Sequence, residues 1–528
     1  MIADQNRTGH GSDEQDTDEP TQSRTDGPIG YRESLRQVLH VALPLMVSTG
    51  TFSIVLFIDR TLLLGYGDGT AMTASMAAGN LFWTLLCIPI GIMSMSGAFV
   101  AQFIGDGQDR MVGRFLWQTV WLSLLTLIPS GIFAVLAWSM LRGLGQPESL
   151  LAEETIYMQT LMLGGAGVVL ENALGGYFSG THRTITIMLV SLASAVVNLG
   201  LDVLLIFGPG PFPEMGIAGA GIATSMAFWF KGVVFAWFIW FAKDRDRYGV
   251  RDGICVDLAL IRRLLFFGMP AGLQFVAEAG GFSLILLAIG ALGDVPLRAT
   301  TMAINFNQIA FIPLVGVSIA ASVLVGQHLT NQPPVAFKTD GHRLPKHPAV
   351  TTTIASLLIV LLYCGTWALA YLFFAEPLIQ VYTAVNDNPD SLLAANTAVP
   401  LLWFVALFLV IDGVQLVVGG GLRGAGDTWY VLASTAIVSF SALAIGYCFQ
   451  PDPQLQKVTV QQALHWWWWV LTGWVVGLTT MMVGRFIQGR WLFIQMIDLT
   501  GGETNTEEQA TMGTGKSPES SQAREETH

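Results

Sequence analysis

The chain has 528 residues, of which 52% are hydrophobic and only 12% are charged. Its mean hydropathy is +0.54, a combination that excludes a soluble enzyme and is typical of a protein that crosses a membrane many times. The formal net charge is −12, but much of the acid lies in polar sequence at the two ends, which predicts disordered tails and no nucleic-acid partner.

Runs of about 20 or more mainly apolar residues recur along the chain. Each run is long enough to cross a hydrocarbon core of about 30 Å as a helix, and a helix satisfies its own backbone hydrogen bonds in lipid. The sequence therefore predicts an all-α polytopic membrane protein with twelve transmembrane helices. The predicted spans are residues 41–66, 72–104, 113–141, 151–178, 185–208, 215–242, 262–292, 298–329, 349–374, 396–422, 428–449 and 464–488.

Two parts of the chain resemble each other. The matching positions are Pro44 and Pro270, which open a span, Pro89 and Pro313, which lie in the next span, and Gln102 and Gln327, which close it. Repeats with an even number of spans keep the same orientation, which predicts two six-helix bundles related by a pseudo-two-fold axis along the membrane normal. The predicted bundles are residues 35–243 and 262–498, joined by a cytoplasmic connector at 244–261 and flanked by disordered tails at 1–34 and 499–528.

Lysine and arginine are distributed unevenly over the predicted loops. If the N-terminus is inside the cell, 21 of the 26 lie in cytoplasmic segments. This asymmetry predicts a multi-pass protein of the inner (plasma) membrane with both termini in the cytoplasm. Trp466 to Trp469 then open the last span at the outer surface, and we interpret them as interfacial anchors.

Asp412 lies inside a long apolar run that meets its next charge only at Arg423. A carboxylate at that depth costs about 2.5–3.5 kcal/mol on insertion scales, so it persists mainly where it faces a bundle interior or a wet cavity. Asp412 is therefore a candidate functional residue. The other polar groups that we place at membrane depth are Asp59, Glu171, Asn198, Asp202, Lys231, Glu278 and Asn305.

The depths of these acids suggest two groups. Glu278 and Asp412 fall near the membrane midplane, whereas Asp59, Asn198 and Asp202 fall in the outer half of the N-terminal bundle. Two carboxylates that face one cavity bind a small cation or share a proton, because their repulsion is relieved by either. We therefore predict a coupling site at Glu278 and Asp412. We also predict a substrate cavity between the bundles, with Asn305, Gln308, Asp59 and Asp412 as candidates for its wall.

Several of these residues have a simpler interpretation. Asp59 precedes Arg60 and could pair with it near the outer interface. Glu171 is better explained as a partner of Arg183 or of a loop backbone than as an ion ligand. Lys231 could neutralise a buried acid or extend to water, and the sequence leaves both open.

The chain carries no motif for nucleotide binding or for catalysis. No P-loop follows a strand pattern, and neither a serine-nucleophile elbow nor HExxH is present. The eight histidines show no metal-ligand spacing. We therefore expect a protein that is not an enzyme, binds no cofactor and uses no nucleotide.

Five pieces of sequence, in order, resemble the multidrug and toxic compound extrusion (MATE) family over residues 35–497. The pieces are LFIDRTLLLGYG with Asp59, VVNLGLDVLLIFG with Asn198 and Asp202, MGIAGAGIATS, MPAGLQFVAEAGGFSLILLAIGALGD with Glu278, and VIDGVQLVVGGGLRGAGDT with Asp412. The resemblance implies two bundles around a V-shaped cleft. It also implies export of organic, often cationic, drugs or toxic metabolites in exchange for Na⁺ or H⁺.

The acids at Glu278 and Asp412 resemble the NorM-type branch of that family. The resemblance implies that these two carboxylates are ion ligands, holding the transported Na⁺ if coupling is to sodium. It also implies that Asp59, Asn198 and Asp202 form an ion-coupling cluster where a proton, or in some members Na⁺, acts, with Asp59 as the proton-sensitive switch. The sequence departs from the family at His182, where a second glycine is usual after the fourth span, and in its longer 330–348 loop and acidic tails.

Two other functions remain open from the sequence. A flippase of the same superfamily for lipid-linked oligosaccharides or other lipids would need a basic cavity, whereas these spans hold mainly acids and one lysine. A receptor or scaffold would leave several buried acids without a role. We expect a secondary antiporter that works by alternating access as a monomer in the lipid bilayer on a small organic molecule.

Overall fold

Helices form the regular structure of the residues that the structure describes, which are 30–66, 70–332, 347–383, 389–451 and 459–498. In this computed structural model, eleven helical segments are long and apolar enough to cross a membrane. The number is twelve if Glu148–Met162 and Gly165–Gly180, which are bent by 41° at a short break, form one span. The predicted all-α polytopic fold is confirmed.

The helices follow one another with short connections. In the first part of the chain they are α1 Tyr31–Leu64, α2 Thr70–Ser94, α3 Ser96–Gly105, α4 Asp109–Leu125, α5 Leu127–Gly143, α6 Glu148–Met162, α7 Gly165–Gly180, α8 Thr184–Phe207 and α9 Ile217–Trp240. In the second part they are α10 Leu258–Gly290, α11 Asp294–Asn331, α12 Pro348–Phe373, α13 Ala375–Thr383, α14 Pro389–Ala425, α15 Thr428–Cys448 and α16 Val460–Gln488.

Two contacts between the parts follow a two-fold pattern. Helix α1 packs along α11, and α2 packs along α10. The first two long spans are α1 and α2 in one part and α10 and α11 in the other. A two-fold axis that exchanges α1 with α10 and α2 with α11 would superpose the α1–α11 contact on the α10–α2 contact. The packing therefore supports two related sets of helices, α1–α9 and α10–α16.

The helix limits differ slightly from the predicted segment limits. Helix α1 begins at Tyr31, inside the stretch predicted as a tail, and α10 begins at Leu258, inside the predicted connector. Residues 241–257 form turns without a regular helix. The residue limits of the two bundles stay predictions, and most of the tails and of the 330–348 loop lies outside the described residues.

The turns at 241–257 pack against the start of α4. Tyr248 O accepts a hydrogen bond from Gly113 N at 2.8 Å, and Trp117 Nε1 donates to Val250 O at 2.7 Å. We call this side of the molecule the connector end. The breaks between helices at residues 106–108, 181–183 and 426–427 also lie at this end. We call the other side of the molecule the opposite end.

Several ion pairs lie at the connector end. Arg183 pairs with Asp244, and Arg247 Nε lies 2.8 Å from Asp109 Oδ2. At the end of the described chain, Asp498 Oδ1 accepts from Arg263 Nη2 at 2.7 Å. This hydrogen bond lowers the pKa of Asp498 below its ordinary value of 3.8.

The tryptophans of α16 do not form the predicted interfacial belt. Trp467 and Trp468 are 0% exposed, whereas Trp469 is 58% exposed. Trp468 Nε1 donates to Thr300 Oγ1 on α11 at 3.3 Å. The interfacial interpretation is therefore wrong for Trp467 and Trp468, because α16 begins at Val460 and turns both rings into the helix packing.

Candidate functional site

Glycines allow the two sets of helices to meet closely. A Cβ added to Gly91 on α2 would lie 2.3 Å from Gly272 Cα on α10, far inside van der Waals contact. A Cβ on Gly316 of α11 would lie 2.5 Å from Met46 N on α1. We call this region of close approach, which extends from these glycines toward the connector end, the seam.

Hydrogen bonds join the sets beyond the glycines. Gln102 Nε2 donates to Gly424 O at 3.0 Å, and Thr330 Oγ1 donates to Gln102 O at 3.0 Å. His182 Nε2 and Gln327 Oε1 are 2.6 Å apart. The seam is thus closed by both backbone packing and polar contacts at the connector end.

A cavity of about 420 Å³ lies between the first set of helices and α11. Its volume is within the range of sites for drug-sized molecules. Gln308, Phe311 and Ile312 contribute the wall from α11. Asp59 and Lys231 bring opposite charges to the wall from the first set.

Asp59 and Asp202 face each other beside this cavity. Their side chains lie within hydrogen-bonding reach, and they are 5% and 0% exposed. Neither oxygen of Asp202 receives an N–H or O–H donor from the described residues. Two buried carboxyl groups in contact repel each other when both are ionised, so this pair requires a proton or a small cation.

Two neutral polar residues surround the pair. Asn198, which is 2% exposed, lies one helical turn before Asp202 on α8 and also lines the cavity. Thr224 on α9 donates to Asp59 Oδ2 at 3.5 Å. Arg60 acts electrostatically on Asp59, but no ion pair joins them among the described contacts. The geometry therefore does not favour the simpler interpretation, in which Asp59 is the partner of Arg60.

Glu278 and Asp412 form a second acidic group in the other set of helices. Both are half-buried and close enough to interact electrostatically. Gln274 Nε2, one turn earlier on α10, donates to Glu278 Oε1 at 2.9 Å. Arg423 also interacts with Glu278 and donates to Ser318 Oγ at 3.0 Å. A guanidinium therefore offsets part of the negative charge.

Glu171 has a different partner from the predicted one. Its Oε1 lies 2.6 Å from Lys231 Nζ, while Arg183 pairs with Asp244 instead. The interpretation of Glu171 as a partner of Arg183 is therefore wrong. Of the two possibilities for Lys231, neutralisation of a buried acid is the one observed.

The candidates for the substrate wall divide into two groups. Gln308 and Asp59 line the cavity, as does Asn198. Asn305 and Asp412 are not among the residues that line it. Any contact of these two residues with a substrate stays a prediction.

The sodium prediction at Glu278 and Asp412 also stays a prediction. Within the described residues, no group of three or more His, Cys, Asp and Glu side chains is placed to hold a metal ion. Na⁺ at this pair would need further oxygen ligands from amide or hydroxyl groups.

Sequence reasoning missed three residues of these sites. Gln274 had a visible signal, because it lies four residues before Glu278 and therefore on the same helix face. Thr224 and Arg423 gave none, since each meets an acid from a distant helix. Arg423 lies in the last turn of α14, which continues to Ala425, three residues beyond the predicted end of this span at residue 422.

Comparison with known proteins gives one family. The MatE family model matches residues 44–204 and 270–448, which together are more than half of the chain. These two matched stretches fall within α1–α8 and α10–α15.

Individual relatives cover most of the chain. Multidrug resistance protein NorM of Photobacterium profundum is 25% identical over 469 residues, which are 88% of this chain and 97% of that protein. The probable multidrug resistance protein NorM of Xanthomonas axonopodis pv. citri is 28% identical over 406 residues, 76% of this chain and 83% of its own.

A solved structure has the same fold. It is described as the outward-facing conformation of a multidrug resistance MATE family transporter of the MOP superfamily. The TM-score is 0.74 at 17% identity, and the match covers 87% of this chain and 95% of that one.

Proposed function

This chain belongs to the MatE family of membrane transporters, and on that premise we propose that it is a secondary antiporter. It exports organic, mainly cationic, compounds from the cell in exchange for H⁺ or Na⁺. Its relatives named NorM are multidrug resistance proteins, which supports drugs or toxic metabolites as the substrate class.

The contact between Asp59 and Asp202 carries this proposal. Asp59 lies in the cavity wall and Asp202 lies directly behind it. When a proton or Na⁺ neutralises the pair, the cavity loses the negative charge that attracts a cationic substrate. Ion and substrate therefore compete through Asp59, and such competition is the requirement for antiport.

The second acidic group, Glu278 and Asp412, has a different role in the proposed transport cycle. Glu278 and Asp412 lie among α10 and α14 of the other set, with Arg423 near Glu278. We propose that this group binds a second coupling ion. Its residues lie outside the cavity lining, so its ion would act on the helix arrangement and not directly on the substrate.

Energetics favour more than one ion per substrate. Exchange of one monovalent ion for one monovalent organic cation moves no net charge, so the membrane potential contributes nothing. A tenfold ion gradient then supplies about 1.4 kcal/mol and about tenfold expulsion. A second inward charge adds about 2.3 kcal/mol at 100 mV.

The placement in the membrane is part of the proposal. The basic residues of the 241–257 turns and Arg110 and Arg114 lie at the connector end, so the positive-inside rule assigns this end to the cytoplasm. The chain would then lie in the inner (plasma) membrane with both termini inside, and it would function as a monomer.

The flippase alternative is not favoured by the charges of the cavity. A carrier of a lipid-linked diphosphate needs several unpaired bases in its cavity. Here the described cavity wall carries two bases, Lys231 and Arg60, and Lys231 is already paired with Glu171.

Transport by purified protein in proteoliposomes tests the proposal. Efflux of a fluorescent organic cation is measured under a Na⁺ gradient and, separately, a proton gradient. The variants are Asp59→Asn, Asp202→Asn, Glu278→Gln and Asp412→Asn. Glu376→Gln is the matched control, because Glu376 is an exposed acid at the start of α13.

The wild type and the control should export the cation under at least one gradient. Loss of gradient-driven efflux in Asp59→Asn and Asp202→Asn is the expected result, and the gradient that works identifies the ion. Full coupled transport in all four variants would contradict the proposed sites. The absence of gradient-driven efflux in the wild type would contradict the antiporter function.

A further inference from the structure

The chain that follows α16 crosses the connector end. Helix α16 ends at Gln488, and Gly489 turns the chain with a φ of +69°, a conformation that glycine adopts at little cost. A short 3-10 turn at Arg490–Phe493 comes next, and the described chain then runs to Asp498. We call residues 489–498 the strap.

The first part of the strap is anchored in the second set of helices, α10–α16. Trp491 is 0% exposed, and its ring stacks on Phe486 of α16 with centroids 5.2 Å apart. Its Nε1 donates to Phe486 O at 2.9 Å. Trp491 and Leu492 belong to one hydrophobic cluster with Ala349 and Val350 at the start of α12. Buried aromatic packing of this kind fixes the strap to its own set.

The end of the strap passes over the break between α14 and α15 and reaches the first set. Met496 and Ile497 are 0% and 2% exposed. Met496 fits onto Gly426, where an added Cβ would lie 2.5 Å from Met496 Cγ. The backbone carbonyl of Asp498 accepts a hydrogen bond from Gln108 Nε2 at 2.5 Å, and Gln108 lies between α3 and α4. The strap therefore starts in one set of helices and ends on the other.

The two hydrogen bonds of Asp498 lead to different sets. Its carbonyl bond to Gln108 crosses to the first set, and the same Gln108 Nε2 also donates to Asp106 Oδ2 at 2.7 Å, so both N–H groups of the amide are used. Its side chain bonds to Arg263 of α10 within the second set, but this side chain is 90% exposed. Solvent screens such a pair, so it contributes little.

The 241–257 turns, which connect the two sets, offer a comparison. They follow α9, the last helix of the first set, and pack on α4 of that set before the chain continues into α10. The strap follows α16, the last helix of the second set, and packs on α12 of that set. It thus spans the two sets as the connector does, but with a hydrogen bond where the connector continues covalently.

We propose that the strap is a conformational restraint on the transport cycle. While Gln108 holds the carbonyl of Asp498, the first set cannot move away from the second at the connector end. The strap travels with its own set, so this bond breaks before the connector end opens. The inference rests on the proposed alternating-access function and adds an element that stabilises one of its two states.

Opening of the seam can be measured through Ala98→Cys, because Ala98 lies on α3 of the seam and is 1% exposed. The background has its four native cysteines replaced by alanine, and the readout is the rate of maleimide labelling in detergent. Gln108→Ala should raise this rate about fivefold, the change expected for loss of one hydrogen bond. Arg263→Gln is the matched control and should leave the rate unchanged, because its bond to the strap lies within one set.

A reversible cross-link tests whether the bond has to break. A short bis-methanethiosulfonate reagent joins the strap to the first set in the pair Gln108→Cys with Asp498→Cys. The same reagent joins the strap to its own set in the pair Arg263→Cys with Asp498→Cys. The first cross-link should stop efflux of the cationic dye rhodamine 123 from proteoliposomes until dithiothreitol removes it, and the second should leave efflux unchanged.

Unchanged labelling in Gln108→Ala would overturn the proposal, as would full efflux with the strap cross-linked to the first set, since a strap that only stabilises the fold has no need to release. A block of efflux by both cross-links would also overturn it, because the strap would then move relative to its own set. Faster labelling in Gln108→Ala without any dye efflux in the wild type would support the restraint and count against the proposed antiporter function.

Discussion

His182 takes a backbone conformation that its neighbours avoid. Its φ is +60°, and it is the one residue other than glycine with positive φ in the described part of the chain. The sequence singled it out because glycine is usual there in the resembling family. The side chain supplies what glycine cannot, which is a hydrogen-bonding contact across the seam to Gln327 at 2.6 Å.

A first prediction concerns pH. Packing around His182 lowers the pKa of its imidazole below the ordinary value of 6.5, so the closed seam keeps it neutral. An exposed His182 in the opened or unfolded protein gains a proton as pH falls below 6.5. The closed seam therefore has its full stability above that pH and loses some of it below, by at most about 1.4 kcal/mol for each pH unit.

Thermal unfolding in detergent between pH 7.5 and 5.5 checks this. The His182→Asn variant should lose less stability over that range than the wild type, because asparagine accepts positive φ and does not titrate. His347, whose pKa burial also lowers, stays in both proteins and cancels. Equal pH slopes in the two proteins would refute a role for His182.

The sequence identifies the buried acids better than it identifies their partners. Asp59 and Asp202 were visible as charges inside apolar runs, and the structure brings them together. The partner of Glu171 could not be predicted, because Lys231 lies 60 residues away and only the packing of α7 on α9 joins them. Local charge patterns carry no information about such contacts.

At the scale of elements, the number and order of the spans were predictable, whereas their exact limits and packed faces were not. Apolar length alone gives the spans, since a lipid core sets it. The length of an apolar run does not show which side chains are buried, as Trp467 and Trp468 illustrate. A tryptophan near the start of a helix suits either a membrane interface or a buried contact. The choice depends on where α11 and α14 lie.

A second prediction concerns the seam between α2 and α10. In Gly91→Ala the new Cβ would lie 2.3 Å from Gly272 Cα, so the two helices must separate, at a cost of about 1–3 kcal/mol. Melting temperature and efflux rate measure the effect. Gly200→Ala is the control, because a Cβ there meets nothing within 4 Å, and equal behaviour of the two variants would disprove the close seam.

A third prediction concerns the joint between α15 and α16. Arg485 donates to Asp427 through two nitrogens, at 2.6 and 3.3 Å, and lies over the Tyr430 ring at 4.7 Å. The side chains of Arg485 and Asp427 are 16% and 7% exposed. Loss of one partner leaves a buried charge, so Arg485→Gln should cost about 3–5 kcal/mol.

The matched control for this joint is Arg247→Gln. Arg247 also pairs with an aspartate, but its side chain is 61% exposed, so its loss should cost about 1 kcal/mol or less. Denaturation of both variants in the same detergent gives the comparison. A similar loss of stability in both variants would show that burial does not make the Arg485–Asp427 pair more stabilising than an exposed pair.

At the scale of the whole molecule, the internal repeat had the greatest predictive value. The repeated prolines and glutamines suggested two related halves, and the reciprocal packing of α1 on α11 and α2 on α10 agrees with it. What the repeat could not show is that the close contacts run from the middle of the helices to the connector end, with the cavity toward the opposite end. That arrangement depends on which state of the transport cycle the structure represents.

Alternating access requires the seam to open and the opposite end to close. The glycine contacts and the hydrogen bonds of Gln102 and His182 must then break together. The proposed ion site at Asp59 and Asp202 and the proposed substrate cavity share a wall through Asp59, so binding of an ion there would change the charge that faces the substrate. The central claim of this account is that the two ligands exclude each other through that pair.

The most direct measurement is the dissociation constant of rhodamine 123 for the purified protein as pH and Na⁺ concentration are varied independently. The account predicts that binding weakens in the wild type as one of the two ions is raised, by about 5- to 150-fold at saturation. It also predicts that Asp59→Asn and Asp202→Asn lose this dependence. A wild-type dissociation constant that is independent of both ions, or an unchanged dependence in both variants, would contradict it.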